Sequence, residues 1–411
     1  MDASGQTATF YGWRVVAACF VIAAFAWGLG LFGASVYLQA VTAAHGWAIA
    51  DVAWAITLFF LVSASVQRIV GRSIDRWGPR PVLSLGTVLM GAGVALIGQS
   101  TDPWHLYPCF VLIGIGWSTL STTGISATVA PWFERHQGRS MTLAIMGASV
   151  GAIIGVPLLL STLAGLGLER GLLATGMVEV AVLLPLIWQV LRYRGPTELG
   201  LNRDGDAVSI AAGHVASMPT AALGRPRILL WSAATGFALA LTVQIGFITH
   251  HVTLAEPLLG TAGAGLLVSA TGGVAFIGRC VLAGVVDRVN VRVLAGIVMI
   301  AQTAALLAIS VWPTVTVLIS ASLVYGYGVG QVTTLGPVVV RREFGAAAFG
   351  STYGAAATVI QLTSAFGPAL FGIMRDAFGG YVLCLALSAG ITASGSMALM
   401  VGGRLGRALW K

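Results

Sequence analysis

Charged side chains are scarce in this sequence. Asp, Glu, Lys and Arg make up only 9% of its 411 residues, whereas hydrophobic residues make up 57%. A soluble protein carries about 25% charged residues to cover its surface, so the composition excludes an ordinary soluble enzyme and predicts a chain embedded in lipid. Glycine is frequent, at 54 residues, but it has no three-residue period, which also excludes a collagen-like protein.

Cysteine pairs, metal-ligand motifs and catalytic motifs are missing as well. Cys19, Cys109, Cys280 and Cys384 each lie in an apolar stretch without C-x-x-C spacing, so we expect small buried side chains and no disulfide or metal. The sequence has no H-E-x-x-H, no G-x-S-x-G and no pair of carboxylates inside one apolar segment. These absences favour a protein that is not an enzyme and that uses no cofactor.

Long apolar segments dominate what remains. A helix that spans a bilayer needs about 20 mostly apolar residues. Twelve such segments are predicted, at residues 13–39, 51–70, 81–99, 104–130, 140–164, 170–191, 227–250, 261–286, 291–311, 313–338, 347–374 and 380–403. We number them spans 1 to 12.

The positive charges indicate the orientation of the chain in the membrane. The net charge of +8 would suggest nucleic acid in a soluble protein. With both termini in the cytoplasm, however, 19 of the 22 Lys and Arg residues fall on that side, Arg170 and Arg375 fall outside, and Arg279 lies within span 8. Cytoplasmic loops of membrane proteins carry this excess. We therefore expect a multi-pass membrane protein with both termini in the cytoplasm and no nucleic-acid partner.

The chain contains a weak internal repeat. Asp75-Arg76 at the end of span 2 corresponds to Asp287-Arg288 at the end of span 8, and Pro157 in span 5 to Pro368 in span 11, at offsets of about half the chain length. This spacing indicates two parallel repeats of a transporter. The predicted organisation is a six-helix bundle at 1–191, a cytoplasmic linker at 192–224 and a second six-helix bundle at 225–411.

The segment Gly71-Arg72-Ser73-Ile74-Asp75-Arg76-Trp77-Gly78-Pro79-Arg80 resembles the loop between spans 2 and 3 of the major facilitator superfamily. The resemblance implies an all-α membrane fold of twelve helices in two pseudo-symmetric bundles. It also implies a conformational latch at the cytoplasmic face, because Asp75 can meet a helix N-terminus or an arginine there. The candidate gate residues are Gly71, Asp75, Arg76, Arg80, Arg139 and Asp287.

Three further segments resemble the monocarboxylate porter and oxalate/formate antiporter group of that superfamily. They are the entry to span 1 at 11–16, the segment from Trp132 to Ala144 with Gly147 and Gly151 beyond it, and the linker segment from Gly195 to Leu201 with Asp204-Gly205-Asp206. The resemblance covers nearly the whole chain. It implies transport of a small organic anion.

Arg279 is the predicted centre of the binding site. It lies eight residues before Asp287, roughly 12 Å above the end of span 8. An arginine at such depth costs about 2.5–3.5 kcal/mol on insertion scales, so it should face a wet cavity where its planar donors match a carboxylate. The resemblance implies the same role for a span-8 arginine. A permanent pairing within the protein is the alternative.

Several positions depart from the group. Its mammalian members have a lysine in span 1, where this chain has Leu31, and an aspartate one turn before the arginine, where it has Ala275. Oxalate-type members add a span-11 lysine, where it has Ile360-Gln361. One cationic site neutralises one carboxylate, so a monocarboxylate is expected in place of a dicarboxylate.

The sequence offers three candidates for the proton carrier. His250 and His251 are candidates because histidine titrates near physiological pH, and His250 could also donate a hydrogen bond to the substrate. Both could instead be interfacial residues without a transport role. Glu179 in span 6 is either a proton relay or a neutral buried carboxyl.

Residues at mid-depth complete the predicted substrate site, although each alone is more typical of packing. They are Trp27, Gly28, Trp117, Ser121, Ile145, Phe247, Tyr325, Tyr327, Tyr353 and Gln361.

The sequence and the resemblance therefore favour a monomeric symporter of the bacterial inner membrane that moves a small monocarboxylate, such as lactate or pyruvate, together with a proton. Two alternatives remain: an organic-anion exchanger of the oxalate/formate type, which would not need a pH gradient, and a broad-specificity exporter, for which Arg279 would be dispensable.

Overall fold

The computed structural model describes residues 10–205, 227–344 and 349–408, and these segments are almost entirely helical. Ten continuous stretches are long and apolar enough to cross a membrane. Two of them cover more than fifty residues each, Gln137–Val190 and Arg227–Leu282, and each turns back at a glycine with positive φ, Gly167 (78°) or Gly260 (68°). Only glycine adopts this conformation freely, so each stretch contributes two spans, and the predicted twelve-helix fold is confirmed.

The helices that form the twelve spans are, in chain order, Tyr11–Leu29 with Gly33–His45, Ile49–Trp77, Pro79–Ile97, Pro103–Leu120 with Thr122–Val129, Gln137–Val150 continued to residue 166, residues 168–190, residues 227–259, residues 261–285, Val291–Val311, Val315–Phe344, Phe349–Ser364 with Gly367–Phe378, and Tyr381–Ala408. We call spans 1–6 the first half and spans 7–12 the second half. The terminal end of the bundle carries the start of span 1 and the finish of span 12. The distal end carries the turns at Gly46 and Gly379.

Several helices end later than predicted, and two of these differences matter for the site. Span 2 does not stop at residue 70 but continues to Trp77, so most of the expected loop motif is helical and the turn is made at Gly78, which has a φ of 86°. Span 7 does not stop at residue 250 but continues to Gly260. His250 and His251 therefore lie inside a helix and not at its end, where the predicted boundary places them.

Spans 1 and 5 pack closely through small residues, as the spacing of Gly147, Gly151 and Gly155 predicts. A Cβ atom at Gly147 or Gly151 would collide with the carbonyl oxygens of Phe20 and Ala24, respectively. The backbone of span 5 forms a π-helical turn at Gly151–Gly155, an arrangement that is often found at functional sites.

The two halves meet mainly at the distal end. There the N–H of Ala50 donates to Asp376 Oδ2 over 2.9 Å, and the N–H of Ala369 donates to Thr57 Oγ1 over 3.0 Å. At the terminal end, by contrast, Gly71, Gly284 and Gly354 have no neighbour within 4 Å of a Cβ position. The bundle is therefore closed at the distal end and open at the terminal end.

The described part of the linker is held against the first half. Arg194 Nη2 donates to the carbonyl of Trp77 over 3.1 Å at the end of span 2. Asp204 accepts from the backbone N–H groups of Glu134, Arg135 and His136 at 2.8–3.2 Å. The predicted bundle boundaries stay a prediction, because residues 206–226 lie outside the described segments.

Electrostatics favour this contact of Asp204. Burial raises the pKa of its carboxyl, but hydrogen bonds from the backbone of Arg135, Glu134 and His136 and from the His136 side chain outweigh burial, so the pKa of Asp204 lies below its ordinary value. The carboxylate is therefore the form that holds the linker.

Candidate functional site

Arg279 lies between the two halves. Its Nη1 donates to Ser149 Oγ of span 5 over 3.2 Å, and its stem passes Gly330 of span 10, where a Cβ atom would lie 3.1 Å from Arg279 Cγ. Ser149 is neutral. Within the described segments the guanidinium has no ion pair, and Nε and Nη2 have no acceptor yet are not sealed from solvent. Arg279 is thus a half-buried cation with free donors.

A second buried arginine shows what a satisfied guanidinium looks like in this fold. Arg292, only 1% exposed, makes a bidentate pair with Glu343 at 2.8 Å for both bonds. It also donates to Ser232 Oγ and to the carbonyls of Leu229 and Leu399. Arg292 therefore joins spans 7, 9, 10 and 12, whereas Arg279 leaves most of its donors for something else.

A small cavity lies one helical turn from Arg279, where the two halves meet in mid-membrane. Its volume is about 10 Å³, room for about one water molecule. The cavity is lined by Phe32, Ile248, His251, Val268, Thr271, Gly272, Ala275 and Val329. The wall is mostly apolar with two polar side chains, His251 and Thr271. The cavity is too small for an organic anion in this conformation, so it marks the place where the halves close beside Arg279.

His251, not His250, contributes to this cavity. His251 Nε2 lies 3.1 Å from Ser322 Oγ, and its ring stacks obliquely on Phe247, which in turn contacts Tyr325. Both ring nitrogens of His250 are already occupied, by Tyr381 Oη at 2.9 Å and by the carbonyl of Pro368 at 3.0 Å. His250 thus joins spans 7, 11 and 12 within the second half, which leaves it no hydrogen bond to offer a substrate.

The predicted residues of the first half form a separate group. The rings of Trp27 and Trp117 are 5.1 Å apart, and Phe59 stacks on Trp117. Ser121 has an extended backbone and divides span 4 into two helices. Gly28 packs against the backbone of Gly151. These residues line the core of the first half, next to the cavity residue Phe32, whose N–H donates to the carbonyl of Trp27.

The remaining predicted lining residues are dispersed. Ile145 is half-buried in span 5 and Gln361 is exposed in span 11. The backbone and ring of Tyr327 lie beside Gly278, the residue before Arg279. The side chain of Tyr353 lies outside the described residues.

The candidate gate residues are apart in this conformation. Asp75 is exposed and has no hydrogen bond or ion pair within the described segments, while Arg139 lies over the ring of Trp13 at 5.7 Å. Arg76 is exposed as well, and Arg80 stacks on Trp188 at 3.9 Å. Gly71 has no neighbour within 4 Å of a Cβ position, because the terminal end is open. The side chain of Asp287 lies outside the described residues.

Glu179 is fully buried in span 6, and neither carboxyl oxygen has a hydrogen-bond partner in the described structure. It lies over Gly91 of span 3, where a Cβ atom would be 3.6 Å from Glu179 Oε2. It therefore packs within the first half and makes no hydrogen bond or ion pair with Arg279.

Comparison with known proteins identifies the family. The model of the Major Facilitator Superfamily matches residues 16–368, most of the chain. The chain belongs to the Major Facilitator Superfamily. It is accordingly a multi-pass membrane transporter and not an enzyme.

Relatives within the superfamily carry different substrates. Human monocarboxylate transporter 11 is 24% identical over 94% of this chain and 82% of its own length. The multidrug resistance protein MdtH of Shigella dysenteriae serotype 1 (strain Sd197) is 32% identical, but over only 38% of this chain and 40% of its own.

Solved superfamily structures share the fold at low sequence identity. The bacterial homologue of the human lysosomal transporter Spinster, in an inward-facing and occupied conformation, aligns with a TM-score of 0.71 at 14% identity, covering 97% of this chain and 96% of its own. A mutant form of the nucleoside transporter NupG aligns with a TM-score of 0.73 at 13% identity, covering 95% of this chain and 99% of its own.

The sequence pattern did not indicate Ser149, Phe32 or the pair Thr57 and Asp376. Ser149 and Thr57 are small polar residues in apolar helices, where most such side chains bond to their own helix. Asp376 belongs to none of the motifs described above. Its role as a contact between the two halves depends on how spans 2 and 11 cross, which local sequence does not determine.

Proposed function

We propose that this transporter carries a small monocarboxylate, with a proton, by alternating access. The observation that carries the proposal is the contrast between the two buried arginines: Arg292 is neutralised by Glu343, whereas Arg279 has a neutral partner and free donors. A carboxylate from the substrate supplies the missing counter-charge, since guanidinium and carboxylate pair in a bidentate geometry.

The position of Arg279 supports a role in coupling. Its hydrogen bond to Ser149 joins the two halves at the seam, and the cavity beside it is lined by span 1 as well as by spans 7, 8 and 10. A bound anion neutralises the arginine, so the loaded site costs less to enclose than the empty one. His251, on the cavity wall, replaces His250 as the candidate hydrogen-bond partner of the second substrate oxygen.

The distribution of Lys and Arg supports cytoplasmic termini in a bacterial inner membrane. In that orientation the open terminal end faces the cytoplasm, and the conformation described here is inward-open. A monomer contains all residues of this site. The full-length likeness to monocarboxylate transporter 11 agrees with a monocarboxylate substrate.

The test is uptake of labelled lactate, pyruvate, acetate and oxalate into proteoliposomes under an imposed pH gradient. We expect uptake of one or more monocarboxylates and none of oxalate, and we expect Arg279→Lys to lose most uptake, because an ammonium cannot replace the planar fork. Arg288→Lys, an exposed position at the end of span 8, is the matched control. Uptake by Arg279→Lys equal to that of the parent would contradict the proposal.

A second candidate is exchange of organic anions without a proton. It is favoured by one observation: no carboxylate contacts Arg279 among the residues that the structure describes. Counterflow that is insensitive to the pH gradient in the parent protein would select this function.

A further inference from the structure

Two buried polar groups in the first half have no partner and no role in the site described above. Both carboxyl oxygens of Glu179 and the hydroxyl of Tyr37 are enclosed without a hydrogen bond in the described structure. Glu179 is 0% exposed and Tyr37 is 1% exposed. An enclosed polar group without a partner costs about 1–3 kcal/mol, so two such groups in one helix bundle call for an explanation.

The two groups lie on spans that face each other. Tyr37 lies on the second helix of span 1 and Glu179 on span 6. The two spans line one cavity, through Leu29 on one side and Val178, the residue before Glu179, on the other, and the charge of Glu179 acts on the phenol. They do not form a hydrogen bond with each other in this conformation.

Among the described residues, no other titratable side chain faces Glu179 from the helices around it. Span 3 presents Gly91 and its only charged residue is Arg80, which stacks on Trp188 at the terminal end. In span 1 the only Arg, Lys, Asp or Glu is Arg14, near its start. Glu169 and Arg170 are exposed at the distal start of span 6. In hydrocarbon, an isolated carboxyl is retained most readily in its neutral, protonated form.

Tyr37 also lies on the element that reaches the substrate cavity. Span 1 is interrupted between Leu29 and Gly33, and Phe32 at that break lines the cavity. The Tyr37 hydroxyl points back to the same break, since a Cβ atom at Gly33 would lie 3.1 Å from Tyr37 Oη. The helix Gly33–His45 then packs against spans of the second half. A change at Tyr37 can therefore move Phe32.

We propose that Glu179 and Tyr37 form the proton-binding site of this transporter, separate from the anion site at Arg279. This proposal rests on the proposed proton-coupled function. Glu179 carries the proton as a neutral carboxyl. When the proton leaves to water, the Tyr37 O–H donates to the carboxylate, and this new hydrogen bond draws Gly33–His45 toward span 6. The movement of that helix changes the cavity wall at Phe32, which links proton release to the anion site.

Infrared difference spectroscopy of the reconstituted protein tests the site without any substrate. We expect a pH-dependent carbonyl band of a protonated carboxyl in the parent and in Glu169→Gln, the matched control at the exposed start of the same span. The band should be lost in Glu179→Gln and shifted in Tyr37→Phe, which removes only the hydroxyl. An unchanged band in Glu179→Gln would overturn the proposal.

Transport gives the second readout. Glu179→Gln is nearly isosteric and keeps the buried group neutral, so counterflow of the monocarboxylate should persist while accumulation driven by a pH gradient is lost. Accumulation at the parent level in Glu179→Gln would refute the proton site and leave the anion site intact. If the parent itself moves no monocarboxylate, the proposed function fails, and the infrared band still decides the proton site.

Discussion

Ala275 lies one helical turn before Arg279, on the wall of the cavity, and is 3% exposed. Its methyl group leaves the guanidinium without a negative neighbour in span 8. The charge state of this site therefore depends on one small residue, and a carboxylate placed there would compete with a substrate for the arginine.

Ala275→Asp should make binding of the monocarboxylate depend on pH. When the introduced carboxyl is ionised it pairs with Arg279, so the apparent KM rises with pH and recovers as acid protonates it. Initial rates across a pH series, at equal pH on both sides of the membrane, measure this effect. Ala275→Asn matches the size without the charge and should show only the pH dependence of the parent. Equal pH profiles for both variants would show that Arg279 does not meet position 275.

Arg292 and Glu343 provide a second test at the residue scale. Removing one partner of a buried pair leaves a charge without compensation and costs about 3–5 kcal/mol, so Arg292→Leu or Glu343→Gln should lower the thermal unfolding temperature in detergent. Arg292→Leu combined with Glu343→Leu should recover part of the loss. If the loss of thermal stability in the double variant equals the sum of the losses in the two single variants, the two side chains do not stabilise each other.

Single helices are held at their ends by groups from elsewhere in the chain. Span 2 begins at Ile49 without a side-chain cap of its own, and Asp376 of the second half accepts from Ala50 N–H instead. Asp204 of the linker accepts from the N–H of Glu134, in the turn that follows span 4. In both places a carboxylate meets free N–H groups, a favourable arrangement at helix starts and turns.

Asp376→Asn should favour opening of the distal end. The substitution weakens a cap worth about 1 kcal/mol that exists only while the two halves touch there. Distances between spin labels on spans 2 and 11, measured by electron paramagnetic resonance, should show a larger open population in Asp376→Asn than in the parent. Asp102→Asn is the matched control, because Asp102 precedes span 4 at the same end and makes no cap hydrogen bond. An unchanged distribution would exclude Asp376 as a contact that holds the distal end.

The contact of Asp204 should be lost in acid. Because the pKa of Asp204 is lowered in the folded state, its carboxylate stabilises linker docking above the ordinary aspartate value, about 3.9, and loses this contribution as the pH falls through the lowered pKa. Limited proteolysis of the linker should be slow in the parent at neutral pH and fast in Asp204→Asn. The two proteins should converge in strong acid, whereas Asp102→Asn should behave as the parent throughout.

At the scale of the whole molecule, the distal end is the side where the halves touch. Gly372 of span 11 lies so close to span 2 that a Cβ atom there would be 2.8 Å from Ala53 Cβ. The opposite end has open space at Gly71, Gly284 and Gly354. Transport requires this asymmetry to reverse in each cycle.

A disulfide across the distal end should stop transport. Cβ atoms of bonded cysteines are about 3.8 Å apart, so Ala53→Cys with Gly372→Cys can be bridged after a small adjustment, in a background with Cys280→Ser because Cys280 is exposed. Oxidation should abolish uptake and a reductant should restore it, while each single cysteine variant stays insensitive. Uptake that survives complete cross-linking would contradict closure of this end as part of the cycle.

The sequence predicted the twelve spans and the isolation of Arg279 because both follow from local composition: apolar length and the depth of a charge. It missed the exposure of Cys280 and the burial of the histidines. The Glu256-Pro257 region reads as a boundary, but span 7 continues to Gly260. Neighbouring helix residues point about 100° apart, so the choice between His250 and His251 depends on a rotation that only packing fixes.

Contacts between distant residues could not be predicted in the same way. Glu179 was recognised as buried, but Tyr37 came into view only from the packing of spans 1 and 6. The predicted latch at Asp75 and Arg139 depends on whether the terminal end is closed. The same sequence adopts the open and the closed conformation in turn, so it does not indicate which of them a structure captures.

The hydrogen bond between Ser149 and Arg279 crosses from one half of the carrier to the other. A ligand that binds both side chains tightly therefore acts as a staple. A rigid aromatic acid with an ortho hydroxyl could occupy the guanidinium with its carboxylate and the serine with its phenol. A flexible substrate that binds weakly is released during the cycle, whereas such a compound would hold the two halves together. It therefore offers a starting scaffold for an inhibitor.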